Sequence, residues 1–429
     1  MVKIGATYRN VLWIGLVFAL FAGLQGGKYF LHNRMQELGI ALALMLYVQG
    51  AYLSAFRMEA FDWWKWVVGA PGFCLFVMIT WSAIFSLKAG VAITPSIFAS
   101  REFMLLLLAP VIFFLHIIGM SISRLVGAIM AAASLTLVSY LFFYFYLDLE
   151  AAYFSTDAFT HHLVTYDESR GFRLKPPTYS MIIVFLSGFF TIFGRGSTVV
   201  KSVAIVALII TCYIWSLVML RAVAAGLLVS VLLYVIVCRK QSQAGLAIVA
   251  TPLVILLIGA GTGIAMDIFV SAHGAEVRLA SFKLALDEFS KNWLLGWGQS
   301  SGYTKTYQDL FGPKFFPSDL GIIGILFKYG LVGGLTYVSA CFSLFFISVR
   351  THWRLQKCFG VSLPLIQALV VFTTLMTLNM ILWPGLAYGQ GLTMASVIIG
   401  LSACIKRFTM VLESEVIEEK SDSILGVVA

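Results

Sequence analysis

Long apolar runs separated by short polar breaks fill most of the chain. Runs of about 17 to 25 residues have the length of a helix that crosses a bilayer. About twelve of them are read as transmembrane helices, starting near Val11, Leu38, Trp66, Phe103, Leu125, Tyr179, Val199, Ala222, Ala244, Gly321, Leu363 and Gln390. The short-segment alternation of a membrane β-barrel is absent. The expected fold class is all-α: a polytopic integral membrane protein, with one integral domain over residues 1–429.

Composition strengthens this picture. Of 429 residues, 60% are hydrophobic and only 11% charged, a balance that a water-exposed surface cannot carry. The net charge of +9 does not point to nucleic acid, because the basic residues are scattered between the apolar runs. That scatter is how membrane proteins set their orientation. Arg57/Lys65, Arg124, Arg195/Lys201, Arg239/Lys240, Arg350/Arg354/Lys357 and Lys406/Arg407 fall on alternate breaks. They place those breaks and both termini in the cytoplasm. The first apolar run lacks a small-x-small cleavage site and reads as a retained helix. Six cysteines fall in spans or on the cytoplasmic side, with no CxxC or HxxxH spacing, so neither a disulfide nor a metal site is expected.

The outer face then receives two long loops, at 148–178 and 267–319, and the polar segment 408–429 forms a mobile cytoplasmic tail. The second loop holds the patterned stretch VRLASFKLALDEFSKNWLLGWGQSSGY, Val277 to Tyr303. On a helical wheel Leu279, Phe282, Leu286, Phe289 and Trp293 form one apolar stripe. Lys283, Asp287, Glu288 and Lys291 gather opposite. This predicts an amphipathic helix on the membrane surface or on the outer ends of the spans. The turn Gly296-Trp297-Gly298 ends it. Arg278 lies at the edge of the apolar stripe, away from the charged face. It either snorkels to lipid phosphates or binds an anionic substrate group.

Arg221 stands between two apolar runs at an outer hairpin tip, a costly place unless it meets water or has a role. Two outer-face arginines suit a diphosphate, which guanidinium groups bind bidentately. Asp319 precedes an overlong run, Leu320 to Val349. At 1.5 Å per residue the run spans roughly 44 Å, so its first turns protrude or tilt. Asp319 serves as an N-cap or as a general base. Lys328, further in, snorkels outward or neutralises an acidic partner.

In these places the chain resembles the O-antigen ligase and polymerase family of bacterial envelope glycosyltransferases. Arg221 and Arg278 match the family's two arginines, and Gly296 and Gly298 match its turn. Gly330 and Gly333 match its glycine spacing. Asp319 stands where the ligases carry a histidine, which favours a polymerase-like member. The resemblance implies a multi-pass protein of the bacterial inner membrane with a site facing the periplasm. It implies inverting, metal-independent transfer of a glycan from undecaprenyl diphosphate to a glycan or lipid A-core acceptor. No cofactor is expected. On that reading Asp319, Arg278 and Arg221 are catalytic, and Gly296, Gly298 and Lys328 join the two arginines in binding substrate. His161, His162 and His273 are outer-face alternatives for the base. The competing function is a transporter or flippase of lipid-linked sugars. The loop Arg57–Lys65 lacks the Gly-Asp-Arg pattern of one large transporter class.

Overall fold

The computed structural model describes residues 5–31, 33–157, 160, 163–167, 171–194, 197–218, 221–238, 274–300, 305–360, 362–380 and 383–428. Its helices of ten or more residues are α1 (Ala6–Gly23), α2 (Asn33–Ser54), α3 (Ala70–Ala89), α4 (Leu108–Ile117), α5 (Ile122–Tyr146), α6 (Thr178–Ile192), α7 (Thr198–Val218), α8 (Arg221–Cys238), α9 (Gly274–Lys291), α10 (Ile322–Phe359), α11 (Pro364–Asn379) and α12 (Gly389–Val428). Among the described residues one small sheet interrupts this all-α fold. It is a hairpin of β1 (Val164–Asp167) and β2 (Gly171–Leu174) with Val164 opposite Leu174.

Seven described helices are long and apolar enough to cross a membrane, or eight if the bent pair Ile93–Ala99 and Arg101–Ile117 is one span. Three shorter apolar helices lie within α6, α8 and α11. Each expected span coincides with one of these, except the span near Ala244, which lies outside the described residues. Large apolar side chains point outward along them, among them Phe76, Val138, Phe142, Val199, Val203 and Ile209. Water penalises such a surface, whereas lipid tails accept it. The fold therefore fits a polytopic membrane protein.

Inside the bundle, several hydroxyls are satisfied without water. Thr136, Ser139, Thr211, Ser230, Thr374 and Thr377 each donate to the carbonyl four residues back. That arrangement lets a polar side chain sit in an apolar helix at little cost.

The bundle has two distinct ends. At one, the Arg57 guanidinium donates to the Ile117 carbonyl at 3.3 Å and Arg407 donates to the Arg57 carbonyl at 3.5 Å. Arg124 donates to Asn10 at 2.7 Å, and Trp13 donates to the Arg124 carbonyl at 2.9 Å. At the other end, Tyr29 donates to the Lys175 carbonyl, Gln390 to Gln25, and Tyr388 to the Ser318 carbonyl. The described parts of both long loops thus share one end, opposite Arg57, Arg124 and Arg407. In the segment expected as a cytoplasmic tail, α12 continues as helix to Val428.

α9 is helical as expected, but its apolar stripe does not face the protein. Leu279, Phe282, Leu286 and Trp293 are exposed, while Ser281 and Ala285 are buried. Small side chains let α9 lie close against α10 and the turn Pro317–Asp319. The larger ones are left on the outside, suited to a lipid surface. Glu288 stays on the expected charged face through its pair with Lys291 at 2.8 Å, and its other carboxylate oxygen accepts from the Trp297 indole at 3.0 Å.

Candidate functional site

The overlong run is a broken helix. α10 is interrupted at Gly330, whose φ of 66° and ψ of −167° are not helical. A continuous helix would bond the Leu331 N–H to the Phe327 carbonyl and the Val332 N–H to Lys328. Instead Leu331 donates to the Trp293 carbonyl at 2.7 Å and Val332 to Leu294 at 3.2 Å. The released Phe327 and Lys328 carbonyls accept from the Trp297 and Gly298 N–H groups at 2.8 and 2.7 Å. Two helical rungs are opened and four bonds to the loop after α9 replace them. The N–H groups of Leu331 and Val332 and the carbonyls of Phe327 and Lys328 thus all keep partners, as an apolar surrounding requires.

The glycines make this joint possible. A Cβ on Gly330 would come within 2.2 Å of the Leu294 carbonyl, and one on Gly298 within 2.4 Å of the α3 backbone at Trp81 and Phe85. Both also have positive φ, which other residues adopt at a cost. A Cβ on Gly296 would come within 2.5 Å of the Gly330 N and 2.6 Å of the Lys328 carbonyl. Gly296 and Gly298, matched above to a substrate turn, are thus committed to holding α9, α3 and α10 together.

Below the joint lies an aromatic knot. Phe85, Tyr307, Phe311, Phe315 and Phe327 pack mostly edge to face, with Trp297 against Phe311. Tyr307 accepts from the Ser300 N–H at 3.2 Å and donates to the Gly298 carbonyl. Burial raises its phenol well above the usual range, so it remains a donor. Lys88 ties α3 to the loop by donating to Asn292 at 2.6 Å and to the Gly296 carbonyl. Thr306 and Asp309 form a capping box, and those bonds hold the Asp309 carboxyl below its ordinary value.

Beside the joint is a cavity of about 210 Å³, lined by Glu102, Gln299, Ser318, Lys328, Tyr329 and Tyr388 among others. The break in α10 shapes it, because Lys328 and Tyr329 belong to the short segment before Gly330. Tyr329 donates to Gln299 at 2.7 Å and Tyr388 to the Ser318 carbonyl at 2.7 Å. The Lys328 ammonium sits 5.6 Å from the Tyr307 ring centre.

Glu102 was not anticipated from the sequence. It lies in a 3-10 turn, Arg101–Leu107, between the short helix Ile93–Ala99 and α4. Among the described residues it makes no hydrogen bond or ion pair. Its Oε2 lies 3.1 Å from where a Cβ on Gly389 would sit, and the Gln36 amide lies 3.0 Å from the same point. Gly389 begins α12, so the carboxylate stands at a helix N-terminus, which attracts negative charge. Neighbouring Arg101 turns away to Glu37 at 3.3 Å. The usable signal was a carboxylate set against an apolar run at a membrane face.

The expected site residues divide as follows. Asp319 ends the turn Pro317–Asp319, whose Pro317 and Ser318 line the cavity. Arg278 lies on α9, which packs on α10 and on that turn. Arg221 begins α8, three residues after Val218, whose carbonyl accepts from Arg173 of the β1–β2 hairpin at 3.2 Å. The side chains of Asp319, Arg278 and Arg221 lie outside the described residues, as do His161, His162 and His273. The turn bearing Asp319 therefore lines the cavity, α9 bearing Arg278 packs against that turn and α10 without lining it, and Arg221 is placed at the loop end of α7 and α8. Compared with known proteins, the chain matches no family model and no curated protein.

Proposed function

We propose that the protein is a membrane glycosyltransferase of the O-antigen ligase and polymerase type, with polymerisation of a surface polysaccharide favoured over ligation. The observation that carries this reading is the polar cavity beside the broken span. It combines a carboxylate without a partner among the described residues, Glu102, with a cation, Lys328, and is lined by the turn bearing Asp319, on which the helix bearing Arg278 packs. In the reaction the acceptor hydroxyl oxygen bonds to the anomeric carbon of the donor sugar. The bond from that carbon to phosphate oxygen breaks, and its electron pair leaves on the lipid diphosphate. The hydroxyl proton passes to a carboxylate, Glu102 or Asp319. Arg278, Arg221 and Lys328 balance the leaving charge. This geometry is consistent with an outer-face site in the bacterial inner membrane and termini in the cytoplasm.

The test is transfer of a glycan from an undecaprenyl-diphosphate donor by the full chain in lipid nanodiscs. Arg278→Ala and Glu102→Gln should each abolish product while the protein still accumulates. Full transfer by both variants would sink the reading. A second reading, translocation of lipid-linked sugars, draws on the broken span, a feature of transporter sites. There, however, the unwound backbone is left to meet the cargo, whereas here the loop after α9 occupies it. Movement of a fluorescent lipid-linked sugar across a proteoliposome bilayer without product would favour that second reading.

A further inference from the structure

One buried donor at the loop end has no work inside the described fold. Gln36 lies in the first turn of α2, and its Nε2 is buried without a hydrogen-bond partner among the described residues. Burying a donor in this way is costly, because the water it loses is not replaced. Gln36 Nε2 and Glu102 Oε2 stand 3.0 and 3.1 Å from one point, the place that a Cβ on Gly389 would take. No hydrogen bond joins the two side chains. They lie about 6 Å apart at most, and one oxygen bonded to both at ordinary lengths of about 2.8 Å fits between them. The amide turns its nitrogen toward Glu102, as it should, because a carboxylate offers only acceptors.

Three separate elements make this meeting. Glu102 is the second residue of the turn Arg101–Leu107, which packs on α2. One residue away on each element, Arg101 pairs with Glu37 at 3.3 Å. Arg101 also donates to the Phe98 carbonyl at 2.6 Å, so the pair clamps the turn to α2. Gly389 begins α12, and Thr393 donates to its carbonyl at 2.8 Å. Having no side chain, Gly389 leaves the space between the two polar groups open. Its neighbour Tyr388, and Leu392 about one turn further along α12, line the cavity together with Glu102. The gap therefore lies at the edge of that cavity.

We propose that Gln36 binds the attacking hydroxyl of the acceptor and holds it against Glu102. The inference rests on the transferase reading and deepens it. The Gln36 amide N–H donates to one lone pair of the hydroxyl oxygen, and the hydroxyl donates to Glu102 Oε2. The other lone pair attacks the anomeric carbon of the donor sugar. As that carbon–oxygen bond forms, the bond from the carbon to phosphate oxygen breaks, its electron pair leaves on the lipid diphosphate, and the hydroxyl proton passes to Glu102. Of the two carboxylates, Glu102 is thus the base. The arrangement also sets the class of acceptor. A hydroxyl has one proton to give and two lone pairs, so it satisfies both side chains and still attacks. An ammonium group has donors only and would leave the Gln36 N–H stranded. The acceptor is an alcohol group of a sugar, not an amine.

The experiment is steady-state transfer by the full chain in lipid nanodiscs. The donor is the lipid-linked oligosaccharide extracted from the bacterium of origin. The same glycan, released from its diphosphate by mild acid, is the acceptor whose concentration is varied. Gln36→Leu keeps the bulk and removes the donor group. It should raise the acceptor KM by about tenfold or more and leave the donor KM within about twofold, because only acceptor binding has lost a contact. Its thermal midpoint should be unchanged or higher, since an unspent buried donor has gone. Gly389→Ala closes the gap with both side chains intact, and the three atoms nearest its Cβ belong to Gln36 and Glu102. It should give the same one-sided rise, and it decides the matter should Gln36→Leu fail to fold. An unchanged acceptor KM in either folded variant, or a joint rise of both KM values, overturns the proposal and leaves the transferase reading standing. No product from the unaltered chain overturns both.

Discussion

The two ends of the bundle handle charge differently. At the arginine end, Arg57 and Arg407 cap carbonyls and Arg124 is bonded to Asn10 across helices. These cations close helix ends joined by short connections, where a positive group meets the exposed carbonyls of a C-terminus. At the loop end, Glu102, Lys28 and Lys175 have no such partners among the described residues, while several uncharged groups around them are engaged. Gln25, Gln390, Tyr329, Tyr388 and Gln299 all hydrogen-bond one another or nearby carbonyls. Structural charge is satisfied within the fold, and a carboxylate left over beside a cavity, Glu102, marks where a ligand is to be met.

The largest expected effect breaks the loop end as a structure. Gly298→Val places side-chain atoms into the α3 backbone at a position with φ of 84°. It should cost about 3 kcal/mol or more, from overpacking plus backbone strain. The expected outcome is loss of detergent-stable monomer on size exclusion, with no product formed. An intact, thermally normal variant would show that the joint does not hold the outer lobe.

Next in size is Glu102→Gln. The volume is kept and no hydrogen bond among the described residues is lost, so thermal unfolding should stay within a degree or two. Glycan transfer should fall by about 10²-fold or more, the scale of a lost general base. Asp319→Asn is the matching comparison. Whichever carboxylate takes the proton shows the larger drop at equal stability. If both variants transfer normally, neither carboxylate is the base.

Burial lowers Lys28 from the ordinary lysine value to about 7, with Lys175 adding to the shift. The groups facing it are Lys175 from the outer loop, Tyr29 beside it, and Tyr140 of α5, packed edge to face on Tyr29. Between pH 7 and the ordinary value the unfolded chain still binds the proton that the folded chain has released. Stability should therefore rise with pH through that window. Below it both states are protonated and the full cost remains. Lys28→Met should remove this slope and stabilise the protein most at low pH. Acetylation of Lys28 should reach half its maximal rate near pH 7, and near the ordinary value if the ammonium is in fact hydrated.

Much of the bundle was legible because lipid leaves only helices as solutions and makes their length visible in the apolar runs. The amphipathic helix was legible for the same reason of periodicity. Which of its faces met the protein was not, because Ser281 and Ala285 carry little pattern beside Leu279, Phe282 and Leu286. The break in α10 stayed hidden since a lone glycine in an apolar run, followed by Gly333 and Gly334, reads as ordinary helix. Its cause is non-local: the partners of Phe327 to Val332 lie some thirty residues earlier, at Trp293 to Gly298. Glu102 stayed hidden likewise, because its significance comes from Gly389 and Gln36, on helices far away in the chain.

The smallest effect belongs to the arginine end and guards the comparison from the other side. Arg124→Ala removes the 2.7 Å bond to Asn10 but keeps the Arg124 carbonyl that accepts from Trp13. Asn10 is exposed, so it can turn to water and is not stranded. The cost should be about 1 kcal/mol, the net worth of one such hydrogen bond, read as a small fall in thermal midpoint. Glycan transfer and the acceptor KM should both stay as in the unaltered chain, because no charge at the loop end has changed. A large loss of transfer in a variant that still folds would show that the two ends are coupled, and that the division between structural and functional charge is wrong.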